Sequence, residues 1–455
     1  MFVQFCEVVS NAFSIKSQNK GSTGWSRMMR KSIAAWYLER EPKQLVYHIT
    51  KYRQREGWSH RDLLRLCHPD VSNKGDDALV YDQIFHYVVH GETSPIKRKF
   101  PQETTDEPAA KKSRKNYELT QTMLEKETTS EALKLLDAFV SIKHLTQSHH
   151  DKRVAQAIRE HGLVREHIST ELLNSPAVWI ALLENMPLTA LIRNLAKLSS
   201  LKIIREENKG YQYQQQDDLV ISKITDEKHL KAARVHPLTI LLALSTYRQG
   251  HGIQGHLEWK TNSKIVEALE KAFLLSFHNV EPTGKRILLA YDVSASMTET
   301  ILGTHLSCRE AAAALGMCFL KTEPKVECMA FSQKFDKLPF DKDWDLMKMV
   351  DYVKCMKFGF TNCALPMIWA ADNKKDFDVF IVFTDSETFH GKVKPFEALQ
   401  QYRKAMNIPD AKLIVVGMTS TKFTIADPTD PGMLDVVGFD SAVPELIRNF
   451  VMGQI

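Results

Sequence analysis

The sequence lacks three features that would have narrowed its setting. None of its seven cysteines (Cys6, Cys67, Cys308, Cys318, Cys328, Cys355, Cys363) forms a C-x-x-C pair, and their number is odd. That argues against a disulfide framework or a thiolate zinc site and for a reducing compartment, with the thiols expected to be small buried apolar groups. No stretch approaches the roughly 20 apolar residues of a membrane span, and the N-terminus lacks the charged-then-apolar layout of a secretory signal. A cytoplasmic location is therefore expected. Charge of one sign is not in excess either: 60 Lys and Arg against 55 Asp and Glu leave +5 over 455 residues, so attraction to phosphate must come from local clusters. The 44% hydrophobic and 25% charged content is ordinary for a globular chain of two or three domains.

The most informative stretch is Arg286 to Met297, where the apolar run Ile287 to Tyr291 ends in Asp292, Ser294 and Ser296 as D-x-S-x-S. An apolar run of this kind reads as a strand buried on both faces of a parallel sheet, and ligands gather where such strands end. One carboxylate and two hydroxyls at alternate positions suit a small hard cation such as Mg²⁺. A second apolar run, Phe377 to Thr384, ends in Asp385, and the loop Gly359-Phe360-Thr361-Asn362 offers another hydroxyl before a helical run, Ala364 to Ala371. Strand and helix patterns alternate from residue 283 to the end, which predicts an α/β doubly wound parallel sheet with the cation at the carboxyl ends of its strands. These residues resemble a von Willebrand A domain with a metal-ion-dependent adhesion site. The resemblance implies that Ser294, Ser296 and Thr361 ligate the metal directly, that Asp292 and Asp385 hold metal-bound waters, and that an acidic protein ligand completes the shell. Asn362 stands where that family more often has Asp, a change expected to tune affinity.

Before residue 283 the periodicity is helical. Met28, Met29, Ile33, Trp36 and Tyr37 mark one stripe, and Leu45, Val46, Ile49 and Tyr52 the next, with breaks at Pro42, Gly57 and Pro69. After residue 118 further stripes follow, including a strongly apolar pair divided at Pro187, and then Leu238 to Tyr247 and Ile265 to Phe277. No strand pattern interrupts them, so an all-α solenoid of HEAT-like helix pairs is expected over 1–282. Interleaved cations, among them Arg27, Arg30, Lys31, Lys152, Arg153 and Arg193, offer a basic stripe for a phosphate backbone. The histidines near residue 150 lack zinc-site spacing. Tryptophans at helical spacing (Trp25, Trp36, Trp58) are more often core than stacking platforms. Between about 92 and 117 the composition turns basic and Pro/Glu/Thr-rich, which predicts a disordered insert. Its clusters at 97–99 and 111–115 suggest nuclear import.

Several segments, in order, resemble the TROVE module: Trp25 to Tyr37, Gly57 to Leu66, Leu163 to His167, Met186 to Leu195 and Val280 to Arg286. Followed by the A domain, they are similar to the Ro/SS-A ribonucleoprotein autoantigen family over nearly the whole chain. The resemblance implies a HEAT-like helical ring that binds small noncoding Y RNA on its outer surface and the single-stranded 3′ ends of misfolded RNAs in its hole. It implies a monomeric protein in a ribonucleoprotein particle, acting in RNA quality control. Arg165 and His167 fall in the stretch that matches the Y RNA surface. Relative to the family pattern the opening helices are missing, which puts ring closure in question. A metal-dependent scaffold that binds only protein is the main rival. A Mg²⁺-dependent phosphatase is a weaker one, because the aspartyl-phosphate chemistry needs D-x-D and position 294 is Ser.

Overall fold

The computed structural model describes residues 25–92, 130–205, 214–331, 334–356, 361–385, 391–420 and 425–455. The expectations placed on 1–24, on the basic insert from 93 onward and on Gly359 and Phe360 lie outside the described residues. Two compact units are present, Met1–Met186 and Pro187–Ile455.

The first unit carries α1 (Arg27–Leu38), α2 (Pro42–Lys51), α3 (His60–Cys67), α4 (Ala78–His90), α5 (Glu131–Ile142), α6 (Asp151–His161) and α7 (Pro176–Glu184). Local chemistry sets their ends. Ser26 Oγ accepts the Met29 N–H at 3.2 Å to start α1, and Ser59 with Asp62 forms a capping box at α3, each satisfying N–H groups that a helix start leaves open. Between α2 and α3 a two-residue antiparallel ladder pairs Gln54–Arg55 with Trp58–Ser59. Its turn needs positive φ at both central residues, found at Glu56 (48°) and Gly57 (76°), and glycine accepts that conformation without strain. Two buried polar contacts pin the helices: Tyr37 Oη lies 2.7 Å from His60 Nδ1, and Thr50 Oγ1 lies 3.1 Å from His167 Nε2. Trp25 is buried against Trp58, ring centroids 5.5 Å apart, so it serves the core.

The second unit begins with α8 (Leu188–Ser200), α9 (Gln214–Thr225), α10 (Glu227–Ala232), α11 (Pro237–Gln249) and α12 (Ser263–Leu275). Then follow β1 (Arg286–Asp292), α13 (Cys308–Thr322), β2 (Lys325–Phe331), β3 (Phe335–Lys337), α14 (Leu346–Lys354), α15 (Leu365–Asp372), β4 (Val379–Thr384), α16 (Pro395–Met406), β5 (Lys412–Gly417), β6 (Met433–Val437) and α17 (Val443–Val451). Strand order is β3-β2-β1-β4-β5-β6. All pairings are parallel except β2 with β3, an antiparallel edge that the sequence pattern does not announce. The two units divide inside the helical region rather than at the change of architecture near 282, because α11 and the turn Ser276–Asn279 pack on α13.

From β1 the chain runs to β2 on one side and later returns to β4 on the other, so the carboxyl ends of β1 and β4 form the switch point where open α/β sheets place ligands. Leu288, Ala290, Phe380 and Val382 bury one face under α15 and α16. On the other face α13 lies close because Gly316 has no side chain: a Cβ there would fall 2.7 Å from Tyr291 Cζ. A Gly316→Ala variant is expected to lose about 1–3 kcal/mol to overpacking. Urea unfolding reads this, and an unchanged midpoint would show that α13 has room to retreat.

Candidate metal centre and nucleic-acid surface

At the switch point Asp292 is buried, and both its carboxylate oxygens are engaged. Oδ1 accepts the Ser294 N–H at 2.8 Å and Oδ2 accepts the Thr384 hydroxyl at 2.8 Å. Thr384 Oγ1 also stands 3.5 Å from Asp385 Oδ1, so the hydroxyl that donates to Asp292 lies between the two acids. Ser294 and Ser296 bring their Oγ atoms within 3.0 Å of each other. The sequence thus points to four residues that the structure gathers at one strand end. The sequence marks Thr384 only as strand, since it ends an apolar run and its partner comes from β1.

Thr361 opens a loop anchored in the core, and among the described residues no hydrogen bond joins its hydroxyl to Asp292, Ser294, Ser296 or Asp385. Cys363 and Ala364 are buried in the cluster that holds Leu288, Ala290 and Val382, which anchors their loop to the face from which β1 delivers Asp292. Asn362 Oδ1 accepts the Ala364 N–H at 3.0 Å, so it shapes the loop, and its amide fills the space beside Gly391, where a Cβ would meet Nδ2 at 2.7 Å. Arg309 on α13 is also buried; burial lowers its pKa while the charge of Asp292 raises it. No sequence signal singled it out. Among the described residues there is no cluster of three or more His, Cys, Asp or Glu. The donors converging here are therefore hydroxyls backed by two carboxylates, a set that suits a hard cation keeping some of its water.

The candidate RNA contacts divide by exposure. Arg27, Arg30 and Lys31 are exposed on α1 at i, i+3 and i+4, one helix face, and Lys152 and Arg153 are exposed on α6. Arg165 is exposed in the short turn Arg165–His167, and Arg193 is exposed on α8. Among the described residues none of Arg27, Arg30, Lys31, Lys152, Arg153 and Arg165 makes an ion pair, whereas Arg159 is held by Glu184 at 2.8 Å. His167 corrects the expectation. It is 1% exposed, its Nδ1 accepts the Val164 N–H at 3.1 Å and its Nε2 meets Thr50. Burial first, then the charges of Arg53 and Lys51, push its pKa down to about 4, so the ring is neutral at pH 7. It positions the turn that displays Arg165 and has no free atom to offer RNA.

Two family models match the chain: the TROVE domain over residues 1–248 and the Ro60 vWA domain over residues 286–451. The curated RNA-binding protein RO60 of Caenorhabditis elegans is 43% identical over 462 residues, covering all of this chain and 70% of that protein. The RNA-binding protein RO60 of Deinococcus radiodurans is 34% identical over 434 residues, covering 95% and 73%. The crystal structure of the Deinococcus radiodurans RO (RSR) protein superposes with a TM-score of 0.79 at 33% identity, covering 95% of this chain and 78% of that one.

Burial, opposed by the bonds from Ser294 and Thr384 and reinforced by the charge of Asp385, raises the Asp292 pKa to about 6. The unfolded value is about 3.9, so the carboxyl binds its proton more tightly when folded. The stability that this confers is full below about pH 4 and is lost as pH rises through 6. In chelator, Asp292→Asn should therefore melt higher than the parent at pH 7.5, by on the order of 2 kcal/mol, and the gap should narrow near pH 4.5. Equal melting at both values would mean that the carboxylate pays no desolvation penalty.

Proposed function

The chain belongs to the Ro60 family, with a TROVE module followed by a Ro60-type von Willebrand A domain, and on that premise we propose that it is an RNA-binding protein of a ribonucleoprotein particle. Its ligands are small noncoding RNAs of the Y type and the 3′ ends of misfolded RNAs, and it acts as a monomer in RNA quality control. The observation that carries this is the set of exposed cations on α1, α6 and the Arg165–His167 turn that have no ion pair among the described residues. A cation already bound to a carboxylate gains little by meeting phosphate, and among the described residues these six meet no carboxylate. Phosphate contacts of this kind supply affinity and orientation, while unpaired bases supply sequence preference. We read the protein as a binder rather than a catalyst, since the strand end that would carry a phosphoaspartate has Ser294 where a second acid is needed. No helix among the described residues is long and apolar enough to cross a membrane. We place the protein in the cytoplasm, with nuclear import through the basic clusters at 97–115.

The second unit adds a divalent cation site, Mg²⁺ by the chemistry of its donors. Ser294, Ser296 and Thr361 would hold the ion directly, with Asp292 and Asp385 orienting its waters. When bound, such an ion supplies an open coordination position for the carboxylate of an acidic protein ligand. The chain's own part is to keep the hydroxyls converged: Asp292 ties down the Ser294 backbone, and Thr384 fixes Asp292 against β4.

Two measurements test the reading. RNA affinity should fall with salt, at roughly 0.7 log units per log unit for each phosphate neutralised on a single strand. Replacing Lys152, Arg153 and Arg165 by Ala should lower that slope by about 2. Salt-independent binding, or a slope unmoved by the triple change, would sink the electrostatic account. For the metal, Mg²⁺ should raise the melting temperature of the parent, as any ligand that binds only the folded state does, and should leave a Ser294→Ala/Ser296→Ala double variant unmoved. An equal rise in both would remove these hydroxyls from the site.

A further inference from the structure

The first unit holds a cavity of about 410 Å³ where the start of α2 meets the start of α5 and the end of α6, a size at the lower end for sites that take small planar ligands. Its walls divide by chemistry. Tyr47 and His48, adjacent on α2, supply rings. Lys43 Nζ stands 3.6 Å from Glu131 Oε2, the two side chains more than half exposed, and Lys134 Nζ stands 3.1 Å from Glu131 Oε1, so the carboxylate lies between two ammonium groups and keeps one further lone pair on each oxygen for a ligand. Glu160 and His161 close the far side. Two carboxylates make the cavity a poor receptor for phosphate, and the rings make it a good one for an aromatic face.

The edge chemistry narrows the choice. A carboxylate only accepts hydrogen bonds and an ammonium only donates them. Their natural complement is a ring edge bearing two adjacent donors beside an acceptor. On its pairing edge guanine has N1–H and the N2 amine next to O6; adenine and cytosine offer one donor group, and uracil one N–H between two carbonyls. Burial, followed by the charges of Arg40 and Lys51, lowers the His48 pKa, which leaves a neutral ring at pH 7 at right angles to Tyr47.

We propose that this cavity receives an unpaired guanine of a bound RNA, its face against Tyr47 and its rim beside the perpendicular ring of His48, its N1–H and N2 amine on Glu131 and its O6 on Lys43. The inference rests on the RNA-binding reading and gives it a base-specific subsite. The path for the strand is on α6 itself. Lys152 and Arg153 lie eight and seven residues before Glu160, roughly 12 Å along a helix, so phosphates seated on those cations bring a neighbouring base to the cavity mouth.

The test uses the full chain and short single-stranded oligouridine probes carrying one central guanosine, one central inosine or neither. The parent should bind the guanosine probe roughly tenfold more tightly than plain oligouridine, the scale of one good bidentate base contact. Inosine, which lacks the N2 amine, should fall between. Glu131→Gln and Lys43→Gln, both at exposed positions, should bind all three probes at the oligouridine level while melting like the parent. Lys152→Ala/Arg153→Ala should weaken all three and keep their ratio. Equal binding of guanosine and plain probes by the parent overturns the subsite and leaves the RNA reading standing. No binding of any probe overturns both. Guanosine monophosphate displacing the guanosine probe at equal concentration would make the ligand a free nucleotide and overturn the assignment to RNA.

Discussion

The second unit depends on the register between β1 and β4. Ala290 faces Val382 and Tyr291 faces Phe383, and with that pairing the next residue on each strand, Asp292 and Thr384, meet at the strand ends. The register is fixed at the other end as well. Asp378 accepts Arg286 at two oxygens, from Nη2 at 2.6 Å and from the backbone N–H at 2.9 Å, a charge-assisted clamp just before β4 begins. Between the clamp and the site every β4 residue is buried, so a slip by one residue would exchange the side chains packed on the two faces and misfit both layers of helices. The position of a carboxylate is thereby decided by the packing of a dozen hydrocarbon side chains.

The first unit solves a different problem, which is to hold cations outward on short helices. Its pins are buried polar pairs, Tyr37 with His60 and Thr50 with His167. Both imidazoles are kept neutral by burial: the pKa falls to about 3 at His60 and about 4 at His167. A neutral imidazole can both accept and donate one hydrogen bond without the cost of a buried charge. This is why histidines sit inside a surface that is otherwise basic, and why the turn after α6 can turn Arg165 out and His167 in within three residues.

Much of this was legible in the chain. The runs Ile287 to Tyr291 and Phe377 to Phe383 announced β1 and β4, since a strand buried on both faces has no polar interruptions. Pro187 divided α7 from α8 where its missing N–H costs least. Less visible were β3 and β6. Phe335–Lys337 is three residues long and Met433–Val437 mixes exposed and buried positions; each owes its extended shape to a neighbour offering an unpaired edge, which no local pattern records. The helix over Gln214–Thr225 begins in a glutamine run without apolar periodicity. His167 misled for the same reason: its neighbours are charged, and only the partner at Thr50, more than a hundred residues away, shows that it is core. Contacts across such separations, like that of Thr384 with Asp292, are set by topology and leave no trace in spacing.

The two units also differ in how they treat positive charge, and this separates their roles more sharply than the net +5 does. In the second unit three arginines of the sheet domain are neutralised by carboxylates: Arg286 by Asp378, Arg403 by Asp430 at 2.5 Å, Arg448 by Glu281 at 2.8 Å. Such pairs hold strands and helix ends in place and leave little field to attract a polyanion. In the first unit six surface cations have no such partner among the described residues. A potential that steers an RNA therefore belongs to α1 and α6, while the strand ends of the second unit carry the buried Asp292 and the half-buried Asp385 beside the paired hydroxyls of Ser294 and Ser296. Among the described residues near the switch point the one buried cation is Arg309, whose charge interacts with Asp292, while Arg286, Arg403 and Arg448 are paired away from it.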